Sequence, residues 1–305
     1  MASLTRTMII SASRRTDIPA FYARWFIRRI QEGYCTVPNP FNTQQVDHIS
    51  LLPQDVDVIV FWTRSPCPLF PYLKELDERG YRYYFQYTLL ANPRLIDPHV
   101  PRLPAALAAF QELAQQVGSQ HVIWRYDPIV FSEITPPAFH LEAYARIAEA
   151  LSGYTFRSVI SLMDPYPKIA KRMKTLAEQG AHMLPFDPAQ AWFGDWMRSL
   201  AAIGTAHGME VVSCAEPFEL RPYGVCPGKC IDDEYIGRVF GLEVSHVKHS
   251  AQRKFCGCVV SKDIGMYDSC PFGCSYCYAT SNFERSCLNY RLHNPDAPSL
   301  LGWYV

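Results

Sequence analysis

Three cysteines lie close together late in the chain, in the segment Cys270-Pro-Phe-Gly-Cys274-Ser-Tyr-Cys277. Zinc sites commonly use pairs of cysteines from separate loops, which together complete a tetrahedron. Three thiolates on one continuous loop can instead bind three irons of a cubic iron–sulfur cluster. The fourth iron then has no protein ligand and is open for chemistry. The spacing therefore predicts a reactive [4Fe-4S] cluster at Cys270, Cys274 and Cys277.

A second group of cysteines precedes this loop. Nine of the eleven cysteines lie between Cys214 and Cys287, whereas Cys35 and Cys67 are isolated, and clustered reduced thiols indicate metal binding. Any four of the cysteines at positions 214, 226, 230, 256 and 258 could ligate a metal. Four thiolates would hold a second [4Fe-4S] cluster, and the alternative is a structural zinc ion. We favour the cluster, because the group lies next to an iron–sulfur loop.

Six apolar stretches rich in β-branched and aromatic residues predict strands, with helical segments between them. These stretches begin at Met8, Asp57, Arg82, His121, Arg157 and Met209. The helical segments run up to glycines, which commonly end helices: Gly33, Gly80, Gly118, Gly153 and Gly208. Strands that alternate with helices in this way predict a parallel α/β fold.

A barrel and a doubly wound sheet both fit this alternation, and the polar residues at the strand ends favour the barrel. In a parallel barrel the carboxyl ends of all strands meet at one mouth, where active sites lie. The chain also has no Gly-rich phosphate motif after its first strand, where a doubly wound sheet usually carries one. We therefore predict a partial (β/α)6 TIM-like barrel over residues 1–216, with a cysteine-rich cluster-binding segment over residues 217–305 on its mouth.

Polar side chains at these strand ends are the remaining candidates for the site. Guanidinium groups gathered at one mouth suit an anionic substrate or the carboxylate of a cofactor. We expect one set to act in catalysis by positioning substrate or cofactor: Arg14, Arg15, Asp17, Arg125 and Asp127. A second set is expected to bind the cofactor: Ser13, Thr63, Arg64, Asp164 and Tyr276. The alternative for the aspartates is structural, with Asp17 as a helix cap and Asp127 and Asp164 as turn starts.

The composition excludes some classes of protein. About half of the 305 residues are apolar and the formal net charge is zero, which argues for a globular protein and against a generic DNA-coating surface. No apolar run approaches the length of a membrane span, and the start of the chain does not fit a signal peptide, so we expect a cytoplasmic protein. The cations between Lys168 and Lys174 are interpreted as a solvent-exposed helix face.

The three-cysteine loop, with the aromatic Tyr276 before its last cysteine, resembles the signature of the radical S-adenosylmethionine enzymes. The resemblance implies a partial six-stranded barrel and an open iron that binds S-adenosylmethionine. It also implies reductive cleavage of this cofactor to a 5′-deoxyadenosyl radical, and an electron donor such as a ferredoxin or flavodoxin. In that superfamily the cluster loop follows the first strand, whereas here it follows the last. The first and last strands of a nearly closed barrel can be neighbours, so we expect the loop to cover the same mouth.

The whole chain resembles the family called domain of unknown function 1848. The resemblance rests on Ser11 to Pro19, Phe61-Trp-Thr63, Trp124 to Pro128, Cys256-Gly-Cys258 and Cys270 to Ala279. It implies that Cys214, Cys230, Cys256 and Cys258 form the second metal group, which leaves Cys226 and Cys287 as ordinary thiols. It implies no reaction.

These observations lead to three hypotheses. The first is a radical S-adenosylmethionine-type iron–sulfur enzyme that acts on an anionic substrate, for example a nucleotide or another small molecule. The second is an iron–sulfur protein without radical chemistry, which transfers electrons or acts as a Lewis acid. The third is a zinc-stabilised nucleic-acid-binding module, which the neutral net charge disfavours.

Overall fold

The computed structural model describes residues 8–164 and 166–304. The strands in these residues are β1 Met8–Ala12, β2 Tyr34–Asn39, β3 Asn42–Ser50, β4 Val56–Thr63, β5 Tyr83–Thr88, β6 Val122–Ile129, β7 Arg157–Leu162, β8 Glu210–Cys214, β9 Cys226–Gly228 and β10 Lys262–Asp263. The α-helices are α1 Ile18–Phe21, α2 Ala23–Glu32, α3 Phe70–Glu78, α4 Leu103–Val117, α5 Pro137–Ala150, α6 Ala170–Glu178, α7 Ala191–Ala206, α8 Asp233–Phe240 and α9 Phe283–Arg291.

Eight of the strands form one sheet in the order β10-β1-β4-β5-β6-β7-β8-β9, and every neighbouring pair is parallel. The six strands predicted from the sequence are its central members, in chain order. The predicted parallel α/β class is therefore confirmed. Hydrogen bonding does not close the sheet into a barrel within the described residues, because β9 and β10 lie at its two edges.

The two faces of the sheet bury different partners, because successive side chains on a strand point to opposite faces. One face packs against the helices that connect the strands. On this face Phe26 of α2 contacts Phe61 of β4, with ring centroids 5.2 Å apart, and Tyr144 of α5 stacks on Trp124 of β6 at 4.6 Å. Helix α2 ends at Gly33, as predicted, and this glycine has the left-handed φ of 77° that commonly ends a helix.

The other face of the sheet packs against the C-terminal segment. The strands contribute one set of buried side chains to this inner core: Ile9, Val58, Val60, Tyr84, Ile123, Val159 and Val212. The later chain contributes a second set: Ile231, Tyr235, Ile236, Val244 and Val259. The inner core is therefore completed by the part of the chain that carries the cysteines.

The hairpin of β2 and β3 was not predicted. Residues Asn42–Ser50 are mostly polar and exposed, so they lack the alternation that identifies a half-buried strand. Pro298 and Ser299 contact this hairpin: the Thr36 amide donates to the Pro298 carbonyl at 3.0 Å, and the Thr36 and Ser299 hydroxyls share a hydrogen bond at 2.6 Å. No helix in the described ranges has the length and apolar character needed to span a membrane.

Candidate iron–sulfur site

One cavity of about 390 Å³ lies at the carboxyl ends of the central strands. Its volume falls in the range of small-molecule sites. All of the residues predicted for the site line this cavity: Ser13, Arg14, Arg15, Asp17, Thr63, Arg64, Arg125, Asp127, Asp164, Cys214, Cys230, Cys256, Cys258, Cys270, Cys274, Tyr276 and Cys277. The structure therefore brings together residues that are up to about 260 positions apart in the sequence.

The three-cysteine loop reaches the cavity because β10 pairs with β1. Ser11 of β1 lies opposite Asp263 of β10, and the Ile264 amide donates to the Ser11 carbonyl at 3.0 Å. The chain then enters the loop beside the end of the first strand. The Cys270 carbonyl accepts a hydrogen bond from Ser286 Oγ of α9 at 2.8 Å, which fixes the start of the loop. The expected route was different, because β1 and the last predicted strand, β8, are not neighbours in the sheet; the unpredicted β10 brings the loop to β1 instead.

Arg64 joins the loop to the body of the protein. Its Nη1 lies 3.0 Å from Cys274 Sγ, 2.8 Å from Asp97 Oδ1 and 2.7 Å from the Tyr276 hydroxyl. The Arg64–Asp97 pair is bidentate, since Nη2 donates to Asp97 Oδ2 at 3.0 Å. Burial alone would raise the pKa of Asp97, but the Arg64 charge and the hydrogen bonds from Arg64, Cys274 and Asn92 together outweigh it, so the pKa is lowered. A permanent ion pair therefore holds a guanidinium next to one thiol of the loop.

The end of the loop is held by Arg172 of α6. Its two terminal nitrogens donate to the carbonyls of Cys277 and Thr280, and its guanidinium lies 4.9 Å from the Phe283 ring centroid. The sequence interpretation of Lys168–Lys174 as a solvent-exposed face holds for the lysines, which are exposed, but not for Arg172. A run of similar cations gives no signal for the one that turns inward.

The second cysteine group is also assembled. Cys214 Sγ at the end of β8 lies 3.1 Å from Cys230 Sγ, and the amides of Cys230 and Ile231 donate to Cys258 Sγ at 3.3 and 3.4 Å. Arg125 Nη1 lies 2.9 Å from Cys230 Sγ. The four cysteines of this group are buried, whereas Cys226 is exposed and Cys287 is half-buried, and neither of these two lines the cavity.

Hydrogen bonds within this group favour the thiolate, which is the metal-binding form of cysteine, at Cys214 and Cys258, whereas they raise the pKa of Cys230 and Cys256. A hydrogen bond from Cys230 and, after it, the charge of Arg125 lower the pKa of Cys214. Hydrogen bonds from Cys230 and Cys256 likewise lower the pKa of Cys258, with a further contribution from Arg14. Within the described residues no group of three or more His, Cys, Asp or Glu side chains converges so that it could hold a metal ion.

Asp17 caps a helix, which is the structural alternative considered for it in the sequence analysis. Its Oδ1 accepts from the Ala20 amide at 2.9 Å, which caps α1, and its Oδ2 accepts from the Arg64 amide at 2.6 Å. Burial raises the pKa of Asp17 to about 7, although these hydrogen bonds oppose the shift. Its part in catalysis remains a prediction.

Each of the other two candidate aspartates pairs with an arginine. Asp127 accepts from Arg125 and from the Ser161 hydroxyl. Asp164 accepts from Arg253, and from the Tyr166 hydroxyl at 3.1 Å. These pairs fix the carboxylates along the cavity wall.

The loop after β1 is held in place by Asp263, a residue that the sequence did not single out. Its carboxylate accepts from the hydroxyls of Ser11 and Ser13 at 2.6 Å and from the Arg14 amide at 2.9 Å. The Arg14 guanidinium then lies 5.1 Å from the centroid of the Trp62 ring, next to Cys258. Arg15 lies 5.1 Å from the Tyr267 ring centroid.

Thr63 is the last residue of β4. Its Oγ1 accepts a hydrogen bond from the Ser65 amide at 2.9 Å, so this hydroxyl stabilises the turn into the cavity.

Asp97, Arg253 and Asp263 were missed by the sequence analysis. Each of them contacts a candidate residue that is distant in the chain, and no local pattern marks such a partner.

Replacing Tyr276 with Phe tests the network around Arg64. The Tyr276 hydroxyl accepts from Arg64 and donates to Asp97 Oδ1 at 2.9 Å, so its loss leaves two buried groups with one partner fewer. We expect the free energy of unfolding to fall by about 1–3 kcal/mol. Urea unfolding of anaerobically purified protein measures it, with Tyr290→Phe at a 40% exposed tyrosine as the control. Equal stability of the two variants would show that the network contributes nothing.

Comparison with known proteins identifies a family. A family model described as domain of unknown function (DUF1848) matches residues 9–279. No curated protein matches the chain. The match begins within β1 and ends just after the three-cysteine loop, so it includes both cysteine groups and the whole cavity wall. The chain belongs to the DUF1848 family.

Proposed function

We propose that this protein is an iron–sulfur enzyme of the radical S-adenosylmethionine type. In this proposal Cys270, Cys274 and Cys277 hold a [4Fe-4S] cluster, and S-adenosylmethionine binds in the adjoining cavity. The four-cysteine group holds a second cluster. The observation that carries the proposal is that seven cysteines, from two separate groups in the sequence, line a single cavity that arginines also line.

The donor set supports a cluster at both places. Iron–sulfur clusters are bound by thiolates and are tuned by hydrogen bonds to the sulfur atoms. Here a guanidinium contacts Cys274 and another contacts Cys230, while backbone amides contact Cys258. Three thiols on one loop leave an iron open for a ligand, whereas four thiols leave none. The second group therefore suits electron transfer or a supporting role.

We also propose that the parallel sheet curves as a partial (β/α)6 barrel. Side chains after β1 and at the end of β8 line the same cavity, although four strands separate β1 from β8 in the sheet. Ile9 of β1 and Val212 of β8 also belong to one inner core. A flat sheet would hold these strands too far apart, since neighbouring strands are about 4.8 Å apart.

The chain's own residues would position the reactants and exclude water. Trp62, Phe272 and Tyr278 supply apolar walls to the cavity, and the Tyr278 hydroxyl donates to the Arg14 carbonyl at 2.9 Å. In this proposal these walls would limit the access of water to a reactive intermediate. The chemistry that the bound group would supply is one-electron cleavage of S-adenosylmethionine into methionine and a 5′-deoxyadenosyl radical. A ferredoxin or flavodoxin is the proposed electron donor.

The direct test is the formation of 5′-deoxyadenosine. Anaerobically purified protein is reduced with dithionite and incubated with S-adenosylmethionine, and the products are separated by chromatography. We expect 5′-deoxyadenosine from the wild type and none from the variant with Cys270, Cys274 and Cys277 changed to serine. Full iron content without this product would favour the electron-transfer or Lewis-acid hypothesis. Zinc without iron or sulfide would contradict both and favour the zinc-stabilised nucleic-acid-binding module.

A further inference from the structure

Two buried polar atoms in the loop after β1 have no hydrogen-bond partner among the described residues. They are Arg14 Nη2 and Thr16 Oγ1, and both residues line the cavity. A buried donor without a partner destabilises the folded protein, and more so when it is charged, so proteins rarely retain one without a reason. A bound ligand would provide the missing acceptor.

Arg14 differs in this respect from three other arginines of the cavity. Arg64, Arg125 and Arg253 each pair with a carboxylate, namely Asp97, Asp127 and Asp164 respectively. No ion pair of Arg14 occurs in the part of the chain that the structure describes. Arg15, which also lines the cavity, has no carboxylate partner among these residues either, but its Nη1 donates to the Gly265 carbonyl at 3.4 Å, whereas Arg14 Nη2 has no partner and remains available to a ligand.

The loop is built so that these two groups are fixed before a ligand arrives. Asp263 holds the Arg14 amide, and the Trp62 ring lies 5.1 Å from the guanidinium. Gly265 permits the close approach, because a Cβ at that position would lie 2.0 Å from Ser13 Oγ and 3.2 Å from the methyl carbon of Thr16. The Thr16 methyl thus faces Gly265. Fixed donors lose little entropy on binding, which favours affinity.

We infer that Arg14 and Thr16 bind an oxyanion of the substrate, a carboxylate or phosphate group, in the cavity beside Cys258. Arg14 Nη2 donates to the anion with charge assistance, and Thr16 Oγ1 donates a second hydrogen bond. The substrate is thereby held next to the second cysteine group and inside the cavity that the three-cysteine loop also lines. The inference rests on the proposed function only where it assigns the anion to a substrate.

The test is anion binding by the full-length protein, purified anaerobically. Inorganic phosphate and, separately, malonate are titrated by calorimetry at constant ionic strength, which keeps screening equal. We expect the wild type to bind at least one of them. Arg14→Met should weaken that binding about tenfold or more, since a charge-assisted hydrogen bond is lost. The exposed Arg24 provides the control Arg24→Met, which should bind as the wild type does.

Thr16→Val keeps the shape of the side chain and provides a second variant if Arg14→Met fails to fold. It should weaken binding severalfold. Repeating the titration with saturating S-adenosylmethionine separates substrate from cofactor, because unchanged anion affinity assigns the site to the substrate. Competition between the two would assign it to the cofactor carboxylate and overturn the inference. Absence of binding by the wild type would also overturn it. So would anion affinities of Arg14→Met and Thr16→Val that equal the affinity of the wild type.

Iron analysis of the same samples distinguishes a failure of the proposed anion site from a failure of the proposed function. Wild-type protein without iron would refute the cluster proposal, while the anion titration would still report on Arg14. Conversely, iron-loaded protein that binds neither anion would refute the Arg14 site and leave the cluster proposal intact.

Discussion

Changing Cys270, Cys274 and Cys277 together to serine is expected to halve the iron and sulfide content of the anaerobically purified protein. Two [4Fe-4S] clusters hold about eight irons, and loss of the one on the three-cysteine loop leaves about four. Serine is nearly isosteric with cysteine but lacks the thiolate. The loop should keep its place, because its backbone is held by Arg172 and Ser286.

The matched control is Cys226→Ser, at an exposed cysteine that does not line the cavity. It should retain all of the iron. The reciprocal variant, with Cys214, Cys230, Cys256 and Cys258 changed to serine, should lose the other half. Unchanged iron in the triple variant would refute the assignment of the loop, and loss of zinc rather than iron in the fourfold variant would identify the second group as a zinc site.

Changing Arg157 to Met is expected to lower the free energy of unfolding by more than Tyr276→Phe does. Its buried side chain pairs with the buried Asp232 at 2.7 Å and with the half-exposed Glu210 at 2.9 Å. Asp232 also caps α8, where its Oδ1 accepts from the amides of Glu234 and Tyr235. Removal of the guanidinium leaves the Asp232 carboxylate buried without its counter-ion, at a cost of about 3–5 kcal/mol.

Such a cost is a large part of the 5–15 kcal/mol by which domains are typically stable. It acts on the inner core, because α8 carries Tyr235 and Ile236 into that core next to Cys230. Urea unfolding measures the loss. Arg238→Met is a close control, since Arg238 also contacts Glu210, at 3.5 Å, and also lies over the Tyr235 ring, but is itself 60% exposed. We expect a change of about 0.5 kcal/mol or less.

Equal stability of the two variants would show that the buried pair does not hold α8 on the sheet. A large loss of stability in Arg157→Met accompanied by full iron content would show that the second cysteine group assembles without the Arg157–Asp232 ion pair. Both results are read from the same samples.

The sequence was sufficient for the features that depend on local patterns. Six strands and the helices between them were predicted because each combines an apolar run with a glycine or a polar residue at its end, as in Val56–Thr63 followed by Arg64. The residues of the cavity were predicted for the same reason. Parallel strands bring their carboxyl ends to one edge of a sheet, so the polar residues that follow them meet.

The remainder depends on long-range contacts that leave no local mark. Lys262–Asp263 is a strand of two residues, and only its pairing with β1 defines it. Asp97 and Asp263 resemble ordinary loop aspartates in the sequence. Their importance lies in the partners Arg64, Ser13 and Arg14, which come from other parts of the chain.

The position of β10 has a consequence for synthesis of the protein. Its pairing with β1 makes the first and the last described strands neighbours, so the site requires almost all of the described chain. A nascent polypeptide that has completed Glu210–Cys214 already has its six central strands, but the ribosome has not yet translated Cys270, Cys274 and Cys277. Under the proposed function, insertion of the cluster on the three-cysteine loop must therefore wait until Cys277 has been translated, and chains that stop before Cys270 would lack this cluster.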